Sequence, residues 1–183
     1  MMTFNLFGKK EKETNGRVFV DKTYISTAAK MNACLELART EPDAVFIAWF
    51  AETAKEFKEF FARNGIEENR VMEARFIHTP FLQHRKPVFT EHYPLHNKET
   101  ELVKNWPQEQ LLVFSAMDEP LFKHFGSEKM IPLMKMLGMK ESESIEHSLV
   151  SKSIIKGQEK IATQVIAEQS AASQAEWMKR NIK

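Results

Sequence analysis

The chain has one cysteine, Cys34, among 183 residues. That excludes an intramolecular disulfide and any cysteine-based zinc site. Cys34 lies in an apolar helical stretch and reads as a small packed hydrophobe. The six glycines are scattered singly, so no G-x-x-x-x-G-K-[ST] phosphate loop can be written in this sequence. Gly8-Lys9 is a dipeptide in a tail. Arginine is absent between Arg85 and Arg180. Neither sign of charge dominates, with 26 lysines and arginines against 25 acids and a net charge of +1. The signs are interspersed, which leaves no electrostatic footprint for nucleic acid. No apolar run reaches the roughly 20 residues that a membrane-spanning helix needs. The opening MMTFNLFGKKEKETNG places its apolar residues ahead of its charges, the reverse of a signal peptide. Phe4, Leu6 and Phe7, followed by Lys9, Lys10 and Lys12, read as a frayed tail rather than a membrane contact. A cytoplasmic protein without stable membrane insertion is expected.

What the sequence does contain alternates between short apolar runs and helical periodicity. Arg17 to Val20 reads as a short strand. Ser26 or Thr27 can cap a helix carrying Met31, Cys34, Leu35 and Ala38 on one face, ended before Pro42. Ala44 to Phe50 is apolar throughout, as in a parallel strand covered on both faces. Phe50, Ala54, Phe57 and Phe61 recur at helical spacing and stop near Gly65. Val71 to Ile77 alternates like a half-covered outer strand. Pro87 to Thr90 and Gln110 to Phe114 are further strand candidates, separated by the polar stretch His92 to Trp106. Strands interleaved with helices predict an α/β fold with a mostly parallel sheet and helices on both faces. Beyond Phe114, Asp118 offers an N-cap and Leu121, Phe122 and Phe125 an apolar face. Met130, Ile131, Met134 and Leu137 make a second short helix closed by Gly138, in which Pro132 must either lie in the first turn or kink the helix, since an interior proline costs about 3 kcal/mol. From Ser148 onward, Val150, Ile154, Ile161, Val165 and Ala172 hold one face of a long C-terminal helix, with Ile155, Ile166 and Trp177 beside it. Gly157 weakens that helix by roughly 1 kcal/mol relative to alanine. Past Ala167 the sequence turns polar and alanine-rich, and the tip is expected to project from the body.

The stretch FSAMDEPLFKHFGSEKMIPLMKMLGMKESESIEHSLVSKSIIKGQEK, residues 114–160, resembles one region of the SecA preprotein translocase ATPase family. There the last strand of the second motor domain leads through short helices into the scaffold helix. Ser115, Asp118-Glu119, Leu121, Phe125-Gly126, Leu137-Gly138-Met139, Ile145-Glu146-His147 and Gln158 carry the match. Upstream, YISTAAKMNACLELA is similar to the segment opening that motor domain, with Lys30 and Ala33 at its matching lysine and alanine. AVFIAWFAETAKEFKEFFARNGI resembles the strand and helix that follow. PVFTEHYPLHNKETELV resembles the family's strand ending in Thr-Glu-Arg. The resemblance implies a bacterial chain with a tail over 1–16, a RecA-like domain over 17–140 and a scaffold-like C-terminal helix over 141–183.

What the resemblance implies about activity turns on what is missing. The family hydrolyses ATP between two RecA-like domains, one supplying a phosphate loop and the other arginines for transition-state charge. Here Thr90-Glu91-His92 stands where the family has Thr-Glu-Arg, and HNKETELVKNW follows in place of an arginine-rich segment. Lys98 and Lys104 offer charge without the planar bidentate fork. The family's Gly-rich segment has shrunk to FIHTPFLQHRK. No ATPase activity is expected, and no catalytic residue, cofactor or metal is assigned. His78, His84, His92 and His96 fall within nineteen residues, but Pro94 breaks the helical spacing a zinc site would use, so they read as surface or loop histidines. The expected function is a protein-interaction or scaffold module linked to protein export, with self-association or full-length SecA as partners. Ile161, Val165, Ile166 and Trp177 are the candidate partner-binding residues. The alternative is a nucleotide-binding accessory subunit without hydrolysis.

Overall fold

The computed structural model describes residues 18–182. The N-terminal tail expected over 1–16 lies outside the described residues, as does Arg17. Within them the chain forms six strands and seven helices: β1 (Val18–Tyr24), α1 (Thr27–Thr40), β2 (Ala44–Ala48), α2 (Ala51–Arg63), β3 (Val71–Glu73), β4 (Lys86–Phe89), α3 (His96–Val103), β5 (Gln110–Ala116), α4 (Pro120–His124), α5 (Met130–Met136), β6 (Ser144–Ile145), α6 (Ser148–Ala162) and α7 (Gln174–Asn181). The sheet order is β3-β2-β4-β5-β1-β6. Every pairing is parallel except that of the two-residue β6, which runs antiparallel to β1 at Thr23 and Tyr24. This is the α/β fold with a mostly parallel sheet that the sequence predicts.

Each face of the sheet is covered because its strands are apolar on both sides. β2 is buried along its whole length, as expected for a strand between helical layers. One layer packs α1 and α2 through Cys34, Leu35, Ala54, Phe57 and Phe61 onto Phe46, Val88 and Phe114. The opposite layer sets Val103 of α3, together with Ile77, Leu82 and Trp106, against Val45, Ile47, Phe89 and Val113. Ser26 caps α1 by accepting from the Ala29 N–H, in line with the sequence signal. β3 is an outer strand, as its alternation predicts, but it ends at Glu73 and passes into short 3-10 turns instead of reaching Ile77.

A third cluster joins the two halves of the chain and corrects the expectation of one long C-terminal helix. α6 ends at Ala162, and residues 163–173 form no regular element. α7 is then capped by Ser173, whose side chain accepts from the Glu176 N–H, while Glu176 accepts from the Ala172 N–H. That is nearly the reciprocal arrangement of a capping box, and the Ser-x-x-Glu spacing of Ser173 and Glu176 is the signal that the reading of one long helix missed. Nor does the tip project. It folds back so that Trp177 and Met178 join Phe50, Leu95, Leu121, Phe122, Ile154 and Ile161 in one core. The physical reason is the large apolar surface of a single indole: burying it outweighs extending a helix through polar, alanine-rich sequence.

Candidate functional site

In an open parallel sheet, ligands gather where the strands end at their carboxyl edge. Here that edge is occupied by a buried network of side chains supplied by β1, α1, β4, α3 and the turn after β5. Lys30, carried on α1 into the interior, donates to the carbonyl of Thr90 at 2.6 Å and to Glu119 Oε1 at 2.5 Å. Burial alone would lower the lysine's pKa, but Glu119 and Glu91 outweigh it and hold the ammonium above its ordinary value. Glu119 Oε1 also accepts the Ala116 N–H at 3.0 Å, while its other oxygen is buried without a partner among the described residues.

Glu91 performs a different task. α2 has no side-chain cap of its own, because Phe50 stands at the N-cap. Glu91 reaches across from the end of β4, and its Oε1 accepts the N–H groups of Trp49 and Phe50 at 3.0 and 3.2 Å. Its second oxygen takes the Thr53 hydroxyl at 2.9 Å. A carboxylate there satisfies orphan donors at a helix N-terminus. Burial nonetheless pushes its pKa up to about 7.

His92 is a loop residue, as the sequence reading allowed, but it lies deep in the network and not at the surface. Its Nδ1 is 2.9 Å from Glu99 and its Nε2 3.0 Å from Asp21. Burial opposes the charged imidazole, but the carboxylates of Glu99 and Asp21 overcome it and raise the pKa to about 10. Reciprocally, burial would raise Glu99, yet His92, His96 and Gln158 hold it at about 2. Sequence reasoning missed this grouping because Asp21, His92 and Glu99 come from separate elements. The only local cue was the seven-residue interval from His92 to Glu99, which becomes meaningful once α3 turns back. His78 and His84 are exposed and stay apart from it, and His96 is half-buried. Among the described residues no group of three His, Cys, Asp or Glu side chains is arranged to hold a metal.

The C-terminal helices close the edge from above. Gln158 of α6 donates to the Tyr93 carbonyl at 2.7 Å and to Glu99 at 2.9 Å. Gln174 of α7 accepts the Leu121 N–H at 2.8 Å and donates to the His92 carbonyl at 3.0 Å. Glu168, in the connection before α7, takes the Trp177 indole N–H at 3.1 Å, the Tyr93 hydroxyl, and an ion pair with Lys98. The loop from Thr90 to Tyr93 thus has its carbonyls at 90, 92 and 93 and its Tyr93 N–H all engaged by side chains. Beside this lid, a cleft of about 570 Å³ opens between Trp49, Tyr93, Arg75 and Arg180. Both guanidiniums there are already held by carboxylates, Arg75 by Glu73 and Arg180 by Glu176.

The four candidate partner-binding residues are not one surface. Ile161 and Trp177 are wholly enclosed in the chain's own core, so neither is available to a partner in this conformation. Val165 is half-buried against the same cluster, and only Ile166 stands out, 92% exposed. Helical periodicity had grouped them on one long helix, and the break at Thr163 separates them. Exposed apolar side chains occur elsewhere, and four of them, Met130, Leu133, Met136 and Leu137, lie together on and beside α5.

The fold and this edge define an α/β domain whose strand ends are covered in part by its own C-terminal segment. No protein-family model matches the chain. Short stretches are similar to curated relatives described as protein translocase subunit SecA. That of Acidithiobacillus ferrooxidans is 48% identical over 48 residues, 26% of this chain and 5% of the relative. That of Chlorobium phaeobacteroides is 41% identical over 51 residues, 28% and 5% respectively. That of Blochmanniella floridana is 42% identical over 48 residues, 26% and 6%. The chain therefore contains a SecA-related segment, and that segment spans about one-twentieth of the length of these relatives. Among the described residues no helix is long and apolar enough to cross a membrane.

Proposed function

We propose that this chain is a non-catalytic, SecA-like protein-interaction module that acts in connection with protein export. The observation that carries the reading is the cover that the C-terminal segment places over the β4–α3 loop and the turn after β5, beside the cleft that stays open at the ends of β2 and β3. Above that loop and turn, part of the edge where an α/β domain would hold a ligand is filled by Trp177 and roofed by α6 and α7. The titratable groups beneath serve the fold: Lys30 ties α1 to the turn after β5, Glu91 caps α2, and His92 joins β1 to α3. A general acid or base needs a substrate proton within hydrogen-bond reach, and these groups are spent on the chain itself. The SecA-related segment supports the connection with export.

Two measurements test the reading. Steady-state ATP hydrolysis by the purified chain is expected at the level of buffer alone, and turnover abolished by Glu91→Gln would overturn the non-catalytic assignment. Biolayer interferometry against full-length SecA, with sedimentation to detect self-association, is expected to reveal at least one saturable protein contact. Absence of both would remove the interaction reading. The nucleotide-holding alternative draws on the cleft beside Trp49. Because Glu73 and Glu176 already neutralise its arginines, calorimetry with ATP and ADP is expected to show no heat of binding.

A further inference from the structure

α5 is apolar on two sides, and only one side touches the body of the protein. Ile131 and Met134 are half-buried. At 100° per residue, Met130, Leu133, Met136 and the following Leu137 fall within an arc of about 120° on another side. All four are exposed, Met136 at 79% and Leu137 at 75%, and no residue of the helix is fully buried. A surface helix of a protein that meets only water shows polar residues on that side. Methionine's flexible, polarizable side chain suits a face that moulds itself to a partner. The helix turns out of the preceding segment at Gly126, whose φ of 84° places it in the left-handed region, and it closes at Gly138, φ 90°. Both positions take up conformations that favour glycine.

Charge decides between occupants. From Lys129 to Lys140 the sequence contains three lysines and no acid. Lys135 is paired with Glu141 at 2.8 Å, whereas Lys129 and Lys140 form no ion pair among the described residues. A second copy docking through the same face would set these lysines against their counterparts. The chain's own residues 1–17 carry Lys9, Lys10, Lys12 and Arg17 against Glu11 and Glu13, so they share its sign. A flat anionic membrane averages charge over a wide area, and residues 120–147 hold four lysines balanced by four glutamates. A narrow ligand lying on α5 meets the lysines directly.

We infer that the exposed face of α5 docks an amphipathic helix of a partner protein, with apolar anchors at i, i+3 and i+7 flanked by acidic side chains. This rests on the interaction-module reading above and names the surface that carries it.

The test uses the full chain and fluorescence anisotropy with a labelled 14-residue helical peptide bearing leucines at that spacing between glutamates, and a twin with lysine in place of glutamate. Binding to the acidic peptide is expected to be at least about tenfold tighter than to its twin, since one tenfold step needs only about 1.4 kcal/mol. Met136→Glu with Leu137→Glu is expected to abolish binding. Lys129→Glu with Lys140→Glu is expected to reverse the peptide preference. The substituted side chains are exposed, so melting temperatures should stay at the wild-type value. If the double apolar variant does not fold, Leu137→Ser alone should weaken binding severalfold. Equal affinity for the two peptides, or no binding of the acidic one, would overturn the assignment. So would pelleting with phosphatidylglycerol vesicles, or a dimer lost in the Leu137→Ser variant. A SecA contact that survives Met136→Glu with Leu137→Glu would leave the interaction reading intact and sink only this surface.

Discussion

At the scale of single residues, the protein spends buried charge on holding separate elements together. Lys30 and Glu119 are a fully enclosed pair at 2.5 Å, joining α1 to the turn that follows β5. Removing one partner leaves the other uncompensated, which typically costs about 3–5 kcal/mol, whereas replacing both with apolar side chains of similar volume is often neutral. Lys30→Met is therefore expected to destabilise strongly in urea denaturation. Lys30→Met with Glu119→Leu is expected to recover most of the loss, and a double mutant as weak as the single would show that the pair is not a unit. His92 gives stability a pH signature. Its folded pKa, raised to about 10 by Glu99 and Asp21, exceeds the unfolded value of about 6.5. Its contribution is thus fully present below pH 6.5 and is lost as pH rises toward 10. Glu99 works in the other direction: with a folded value of about 2, its contribution is present above about 4.5 and is lost as pH falls through the acid range. Melting temperature should fall on both sides, and His92→Gln should flatten the alkaline limb. An alkaline limb unchanged in that variant would remove His92 as its cause.

At the scale of elements, Gly157 shows how packing can overrule propensity. Read alone, it is a weak point in α6 that alanine would strengthen by about 1 kcal/mol. In the fold, a Cβ at that position would stand 2.3 Å from the Phe125 ring. The glycine lets α6 approach α4 closely enough to seal the third core cluster. Gly157→Ala should therefore destabilise, by about 1–3 kcal/mol as overpacked sites do, and Phe125→Leu in the same chain should relieve part of it. A gain in melting temperature for Gly157→Ala would refute the close approach. The helix ends were legible to different degrees. Ser26, Gly65 and Gly138 mark caps in the sequence and in the structure. Asp118, expected to cap α4, instead accepts from the Thr27 N–H and hydroxyl at 2.8 and 2.7 Å, so it braces the start of α1. α3 was missed because its face is mostly polar, and what stabilises it is Glu99 pointing inward to His92.

For the whole molecule, the C-terminal segment is part of the domain's closure. Trp177 is fully buried among residues from the β2–α2 turn, the β4–α3 loop, α4 and α6. Trp177→Ala should cost about 3–5 kcal/mol, as large aromatic truncations in cores do. Ending the chain after Thr163 should do more, exposing Phe50, Leu95 and Leu121 together. The shortened protein is expected to bind a hydrophobic dye and to melt broadly, followed by circular dichroism; unchanged melting would show that the lid is dispensable.

Local pattern alone located five of the six strands among the described residues, the first two helices and the parallel α/β class, because side-chain periodicity and apolar runs are short-range properties of the chain; the two-residue β6 carries no such pattern. It also carried the SecA resemblance, which resides in contiguous residues. The tertiary structure decided everything that depends on residues meeting from afar. Lys30 with Glu119, Asp21 with His92, and Glu91 with the start of α2 are separated by 38 to 89 positions. The lid was decided the same way: a polar, alanine-rich tail looks like a projecting helix until a single indole finds an apolar gap at the end of the sheet. Burial of that ring, and the hydrogen bonds that follow it down, are properties of the assembled core.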